Sequence, residues 1–517
     1  MLVAFVNPQG NFDAAGSYLT AHPDFGGQLV YVRELARALA ALGHEAHILT
    51  RQIADPSWPE FSAQEDGYPE QPGVRILRFP CGPAHFLPKE KLWPHLREWV
   101  GHIAAWYGAQ GRWPDLWTGH YADGGLSAAL LSEQSGVPFT FTGHSLGACK
   151  LESLLDEEGV ERLPALDRHY NLGARLQAEL ASMARTAVVI VSSTAERYVQ
   201  YGHPAYRRAI DVQDSGRFAR VPPGVDLAVF GPRNRSARES EIRKAIRAAL
   251  ARDLAPGRQA LPAVVAWSRL DPKKNHLGLV RAFAASTGLR ERANLVMITR
   301  GLDDPLHDLS HAPSEERAVL RAVVREVDRS GLRGKVSAFS LEGQDALAAL
   351  HRWTAETGGV FCLPSHHEPF SLSLLEAMGS GVPVVATSNG GPAEITDGGK
   401  SGLLANPHDY QELAAQLVRL LSDPAAWRHY SQAGRRRVLT LYNWRCTAQG
   451  YIQLASEIQR GERADDASFE LPAFVRRRPP VRLPRLHSWP PDGAVAAPSV
   501  LSAHVVGSAA YLELPAV

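Results

Sequence analysis

The stretch HHEPFSLSLLEAMGSGVPVV places Glu368 at a strand end and Glu376 eight residues further on, inside the helix that follows. Between them, the backbone N–H groups of Phe370 to Leu374 fall at that helix's N-terminus, where unpaired donors and the helix dipole favour an anion. A glutamate within such a helix can accept two hydroxyl hydrogen bonds from a ribose, and a glutamate at its mouth can hold sugar hydroxyls. The string SRLDPKKNH adds positive charge, Arg269 and Lys274, just after the first strand of the same half. Together these cations can neutralise a diphosphate leaving group, where one preorganised donor is worth about 2.7–4 kcal/mol at a developing oxyanion. Ribose, diphosphate and sugar held by one region is a pattern for activated-sugar chemistry.

A second string points elsewhere. Gly143 to Gly147, GHSLG, follows the strand-like VPFTFT and satisfies the G-x-S-x-G pattern of a hydrolase nucleophile elbow. A triad through Ser145 also needs a downstream acid and histidine, with oxyanion donors from an earlier loop. The chain has 20 histidines but no HGGG-type loop before the serine. An esterase also has no need of a second half of this size. The serine hydrolase is the alternative that this string alone supports.

The elements that must position these residues alternate. LVAFV reads as a buried parallel strand, GGQLVYVRELARALAALGH as a helix with apolar residues at Leu29, Val32, Leu35, Leu39 and Leu42, and EAHILT as the next strand. The same order returns in LPAVVAWS, HLGLVRAFAAS and NLVMIT, then in KVSAFS, DALAALHRWTAETG, GVFCLPS, SLSLLEAMGSG and PVVATS. The spacing predicts two Rossmann-like α/β halves, residues 1–228 and 258–460, joined through the turn-rich VPPGVDLAVFGPRNR. Beyond residue 461 the composition turns to Pro and Arg, and residues 461–517 are expected as a disordered or loosely packed tail.

Composition narrows the ligand class. A chain of 517 residues with 45 % apolar and 21 % charged residues is a soluble, multi-domain type. A net charge of +1 provides no field for nucleic acid or an anionic membrane, so anion recognition must be local and the ligands small. The four cysteines lie far apart without a C-x-x-C pair, against a zinc site or a disulfide framework. The opening MLVAFVNP lacks a basic n-region and no apolar run approaches a bilayer span, so a cytoplasmic location is expected.

The strings HPDFGGQLVYVRELA, RFPCG, FLPKEKLWPHL, FTFTGHSLGACK, PPGVD, SRLDPKKNH, EPFSLSLLEAM and NGGPAEI, in that order, resemble the GT-B retaining glycosyltransferases of family 4. The resemblance runs to about residue 450 and implies a GT-B fold, two Rossmann-like domains facing a central cleft. It implies a nucleotide sugar, UDP-glucose, on the second domain and fructose 6-phosphate on the first, joined with retention to give sucrose 6-phosphate. On the donor side it assigns Glu376 to the ribose, Glu368 with the amides around Ser371 and Leu372 to glucose, and Arg269 and Lys274 to the diphosphate. Gly26 and Gly27 would let backbone amides reach that diphosphate from the other domain. Gln28, Lys89, Lys150 and Arg175 match acceptor positions, and His144 lies beside the transferred glucose. The catalytic set is then His144, Glu368, Arg269 and Lys274, with no metal and no cofactor.

Departures from the family pattern are Ser371 in place of the usual glycine, Ala174 where a second arginine often stands, and the lack of a D-x-D string. A donor or acceptor of the mannosylfructose-phosphate synthase or sucrose synthase type is the alternative within the family. The tail is too short for a fused phosphatase, so a separate sucrose-phosphate phosphatase is the expected partner.

Overall fold

The computed structural model describes residues 1–17, 24–233, 235–299, 301–463, 468–476 and 482–489. The first domain is built on β1 (Leu2–Val6), β2 (Glu45–Arg51), β3 (Glu65–Tyr68), β4 (Gln71–Phe79), β5 (Leu116–His120), β6 (Phe139–Thr142), β7 (Val188–Val191) and β8 (Phe218–Arg220). These form one sheet in the order β3-β4-β2-β1-β5-β6-β7-β8, parallel except for the β3–β4 pair. Every residue of β1 is buried, because helices cover both faces of the sheet, and this is why the strand reads as an unbroken apolar run.

The second domain carries β9 (Ala263–Trp267), β10 (Asn294–Thr299), β11 (Val336–Ser340), β12 (Val360–Leu363), β13 (Val384–Thr387) and β14 (Leu403–Ala405). Its order, β11-β10-β9-β12-β13-β14, is fully parallel and reverses direction beside β9. In open α/β sheets, ligands sit outside the carboxyl ends of the strands at such a switch point. The loop after β9 carries Arg269 and Lys274, and the loop after β12 carries Glu368.

The domain limits differ from 258–460 at both ends. The helix Glu239–Asp253 packs Ile242, Ile246 and Leu250 into the core of the second domain, ahead of residue 258. The final long helix, Trp444–Gln459, instead lies on the first domain, where Trp444, Tyr451, Leu454 and Ile458 join Tyr31, Leu35 and Leu39. Among the described residues two chain crossings therefore connect the domains, and they run side by side: Val225 N donates to Tyr442 O at 2.9 Å. A Cβ on Gly224 would come within 2.2 Å of the Asn443 carbonyl carbon, so the glycine is what allows this approach.

Part of the stretch expected as a loose tail is packed. Leu471, Phe474 and Val475 enter the first domain's core, and Leu486 and Trp489 cover a neighbouring apolar cluster. Residues 464–467, 477–481 and 490–517 of that stretch lie outside the described residues.

Candidate active site

The loop after β9 is organised by its own side chains. Asp271 accepts from Lys273 N at 2.9 Å, closing a single 3-10 turn over Pro272–Lys274. Asn275, in the left-handed region at φ 56°, caps the helix His276–Ala285 through Gly278 N. Its amide also donates to Pro364 O and Pro407 O, at 3.0 Å each. One asparagine therefore ties the loops that follow β9, β12 and β14. Lys274, its neighbour, reaches Glu368 with Nζ 2.5 Å from Oε2, and Ser365 Oγ donates to the same oxygen at 3.2 Å. Arg269 is exposed and makes no side-chain hydrogen bond or ion pair among the described residues.

Glu368 is held from the other side by the loop after β13. Its backbone N–H donates to Asn389 O at 3.1 Å and its carbonyl accepts from Gly391 N at 2.8 Å. Gly390, at φ 99°, leaves no space for a side chain, since a Cβ would sit 2.2 Å from Glu368 O. The helix Leu372–Gly379 starts at Ser371, whose Oγ accepts from Leu374 N at 3.2 Å and lies 3.0 Å from Ser373 Oγ. The residue that departs from the family pattern is thus a helix cap. Burial pushes the Glu376 carboxyl up to about 7, against a hydrogen bond from the Trp267 side chain.

On the first domain, Gly26 and Gly27 open the helix Gly27–Ala41, which has no side-chain cap. Both glycines are exposed, Gly26 has an ordinary φ of −93°, and an added Cβ on either would meet nothing within 4 Å. Among the described residues, neither packing nor backbone geometry requires glycine there. Gln28 follows, buried, its Nε2 without a hydrogen-bond partner among the described residues.

Lys89, Lys150 and Arg175 line one pocket together with Gln9, Glu90, Trp93, Tyr121, Asp123 and Tyr170. Gln28 is not in its lining. Burial opposes the charge of Lys89, but Asp24, 2.7 Å from its Nζ, outweighs it and holds the ammonium above its ordinary range. Lys150 sits over the Tyr170 ring at 3.8 Å, and burial, reinforced by the charge of Arg175, lowers it to about 8. Arg175 is half-buried, and Glu179 at 2.9 Å holds its guanidinium above its ordinary range against the cost of that burial. The same glutamate accepts from Gly147 N and from the Tyr206 hydroxyl, so it also pins the start of the helix Gly147–Glu158 that carries Lys150.

The GHSLG turn joins this pocket to the cleft. Arg175 Nη2 donates to Ser145 O at 2.5 Å, and His144 adopts φ 56°. His144 Nε2 lies 2.9 Å from His120 Nδ1, the Tyr121 ring stacks on it at 5.8 Å and Tyr31 meets it edge-on at 5.2 Å. Burial pushes His144 down to about 3, so the imidazole is neutral near pH 7. A hydrolase triad is not assembled: among the described residues no carboxylate hydrogen-bonds to His120 or His144, and His144 faces another imidazole. The strand–turn–helix geometry is present without the nucleophile chemistry.

Reasoning from the sequence missed Tyr121, Asp123 and Tyr170. Asp123 is buried, its carboxyl pushed up to about 7 by that burial, and its Oδ2 has no hydrogen-bond partner among the described residues. The available signal was HYADGG at the carboxyl end of β5, where the switch-point rule places ligand-facing residues. Tyr121 adds a φ of 62°, a left-handed conformation uncommon for a bulky side chain and concentrated at functional sites. Ala174, in contrast, is fully buried in the core of the first domain.

Two doubly wound domains whose facing loops offer a Lys–Glu pair, a helix N-terminus and a separate cationic pocket define a GT-B glycosyltransferase. Residues 258–437 match the family model "Glycosyl transferases group 1" and residues 26–210 match "Glycosyl transferase 4-like domain". A probable sucrose-phosphate synthase of Thermosipho melanesiensis is 35 % identical over 456 residues, 88 % of this chain and 96 % of that protein. Sucrose-phosphate synthase 4 of Arabidopsis thaliana is 32 % identical over 502 residues, 87 % of this chain but 47 % of the plant protein, so the chain spans about half the plant relative's length. The solved sucrose-phosphate synthase of Thermosynechococcus elongatus is 27 % identical with a TM-score of 0.63, covering 89 % of this chain and all of that one. The chain belongs to the sucrose-phosphate synthase family. No helix among the described residues is long and apolar enough to cross a membrane.

Proposed function

We propose that the chain moves glucose from UDP-glucose to the fructosyl hydroxyl of fructose 6-phosphate, with retention, and that the residues described above divide the work between two half-sites. The observation that carries the acceptor assignment is the convergence of Lys89, Lys150 and Arg175 on one pocket. A phosphate dianion with no metal of its own needs two or three cationic partners, and charge-assisted hydrogen bonds to it are about twice as strong as neutral ones. The orphaned Asp123 Oδ2 suits a sugar hydroxyl, which can donate to the ionised carboxyl and accept from the protonated one.

On the donor side, Glu376 accepts from the ribose hydroxyls and Glu368 from hydroxyls of glucose. Arg269 and Lys274 take up the charge that grows on the diphosphate. Lys274 has Glu368 as its counter-ion before donor arrives, so its ammonium is already oriented. The amides of Gly26 and Gly27, at an uncapped helix N-terminus, approach the diphosphate from the first domain.

The bond between the glucosyl C1 and the diphosphate oxygen breaks first, its electron pair leaving with UDP. The acceptor hydroxyl forms the new C1–O bond on the same face, and its proton passes to a phosphate oxygen of UDP. Neutral His144 and its carbonyl stabilise the oxocarbenium-like sugar without adding a positive charge beside it. No side-chain nucleophile takes part, and Ser145 serves through its carbonyl, which holds Arg175.

Purified protein offered UDP-, ADP- and GDP-glucose with fructose or fructose 6-phosphate, with products identified by mass, tests this reading. The expected product is sucrose 6-phosphate. Lys150→Ala should raise the KM for fructose 6-phosphate by about 100-fold with little change for the donor, and Ser145→Ala should keep most activity. Nucleotide release with fructose alone would overturn the acceptor assignment.

A further inference from the structure

The C-terminal segment 482–489 lies along the helices that carry the acceptor pocket. Leu486 and Trp489 pack against the cluster of Leu151, Leu155, Leu163, Leu166 and Leu172. Trp489 also stacks on His203 with ring centroids 5.5 Å apart. Arg485 Nη1 donates at 3.0 Å to both Asp167 O and Asn171 Oδ1, and Leu486 N donates to Asp167 Oδ2 at 3.3 Å. The segment passes so close to the helix Leu172–Arg185 that a Cβ on Gly173 would stand 2.6 Å from Pro484 O.

Asn171 is where this contact matters. It sits at φ 50°, ending one helix at Tyr170 and opening the next. Its carbonyl accepts from the backbone N of Arg175 at 3.1 Å, and its Nδ2 donates to Glu90 O at 2.9 Å, next to Lys89. The residue before it, Tyr170, is the ring under Lys150. Each of the three pocket cations is thus at most one residue from a group that Asn171 touches or adjoins. An amide has one acceptor end and one donor end. With its Oδ1 taken by Arg485, its Nδ2 is left facing Glu90. Arg485 is at the surface and does not line the pocket itself.

We infer that Arg485, on this strap, is a positioning residue for the acceptor half-site: by fixing the Asn171 amide it sets the spacing of Lys89, Lys150 and Arg175 for a phosphorylated sugar. This rests on reading those three cations as the phosphate site. Steady-state kinetics on the full chain separate the two claims. Arg485→Ala should raise the KM for fructose 6-phosphate about five- to tenfold, leaving kcat and the KM for UDP-glucose unchanged.

Gly173→Ala should do the same, because it lifts the strap without altering any charge. In an ordinary helix that change is favourable, so a loss there reports the collision with Pro484. The double variant should be no worse than the weaker single one, since both act through one contact. A Lys at 485 keeps the charge but not the planar fork, so Arg485→Lys should recover only part of the affinity.

A fall in thermal midpoint with both KM values unchanged, or an equal rise in both, would reduce the strap to general stability and overturn the inference. If the wild type uses fructose as well as fructose 6-phosphate, the phosphate reading itself fails and the strap proposal falls with it. If the wild type requires the phosphate and neither variant moves its KM, only the strap proposal fails.

Discussion

Among the site's side chains whose charge states are moved by their surroundings, Lys150, Glu376 and His144 each have a consequence in pH. Lys150, lowered to about 8 chiefly by burial, is cationic below that value and loses its proton above it. Because kcat/KM reports the free enzyme, kcat/KM for fructose 6-phosphate should fall as pH rises through 8 while kcat holds. Glu376, pushed up to about 7, carries a proton below that pH and then offers fewer acceptor sites to two hydroxyls. The KM for UDP-glucose should therefore rise as pH falls below 7, and Glu376→Gln should flatten that limb. His144, near 3, should contribute no limb between pH 5 and 9. A profile of both substrates over that range, in wild type and Glu376→Gln, checks all three.

Loops and helix termini place these residues, and the glycines divide into those that the chain's own geometry requires and those that it does not. Gly390 is required internally, because φ 99° and the 2.2 Å approach to Glu368 O forbid a side chain. Gly27 has no such reason among the described residues: it opens a helix, and a Cβ there meets none of them within 4 Å. Gly27→Ala should leave the thermal midpoint unchanged or slightly raised, since alanine is the better helix former by about 0.8–1 kcal/mol. Under the proposed donor site it should still cut kcat/KM for the donor by roughly tenfold or more, because the methyl group would then stand where the diphosphate binds. A lowered midpoint with unchanged kinetics would return Gly27 to a structural role. Much of this element level was legible in advance, since HHEPFSLSLLEAM announces a strand end, a turn and a helix by local spacing. What stayed hidden was Ser371 as the cap of that helix, because a hydroxyl's partner depends on where the backbone turns.

Across the whole molecule, the two domains meet through Glu394 of the NGGPAEI string. Its Oε1 accepts from Thr194 N at 2.6 Å and Ala195 N at 3.2 Å, and its Oε2 pairs with Arg220 at 3.1 Å. Ser193 Oγ reaches Pro369 O at 2.8 Å beside it, one residue from Glu368. These bonds tie the loop that carries Glu368 to the first domain, and under the proposed function a cleft held together in this way would keep water from an activated sugar. Glu394→Ala should shift the free protein toward more open forms, seen as a larger radius of gyration by small-angle scattering. It should raise the KM of both substrates a few-fold together, as a smaller closed population predicts. An effect on one substrate alone would contradict this.

Alternating apolar runs and helical spacing were enough to predict two parallel α/β domains, because strand burial and helix amphipathicity are written into neighbouring residues. Residue types in two short strings were also enough to nominate Glu368 and Lys274, whereas Lys89, Lys150 and Arg175 were nominated by the family resemblance. Tertiary structure alone decided which of these meet and through what. Lys274 and Glu368 are 94 positions apart, and Arg485 and Asn171 are 314 apart. It returned the helix Trp444–Gln459 to the first domain, and packed part of a stretch that composition marks as loose. It also set the charge states of Glu376, Lys150 and His144, which follow from burial by distant segments. Periodicity records how a residue stands relative to its neighbours in the chain, whereas pairing, desolvation and pocket shape arise only when remote segments exclude water together.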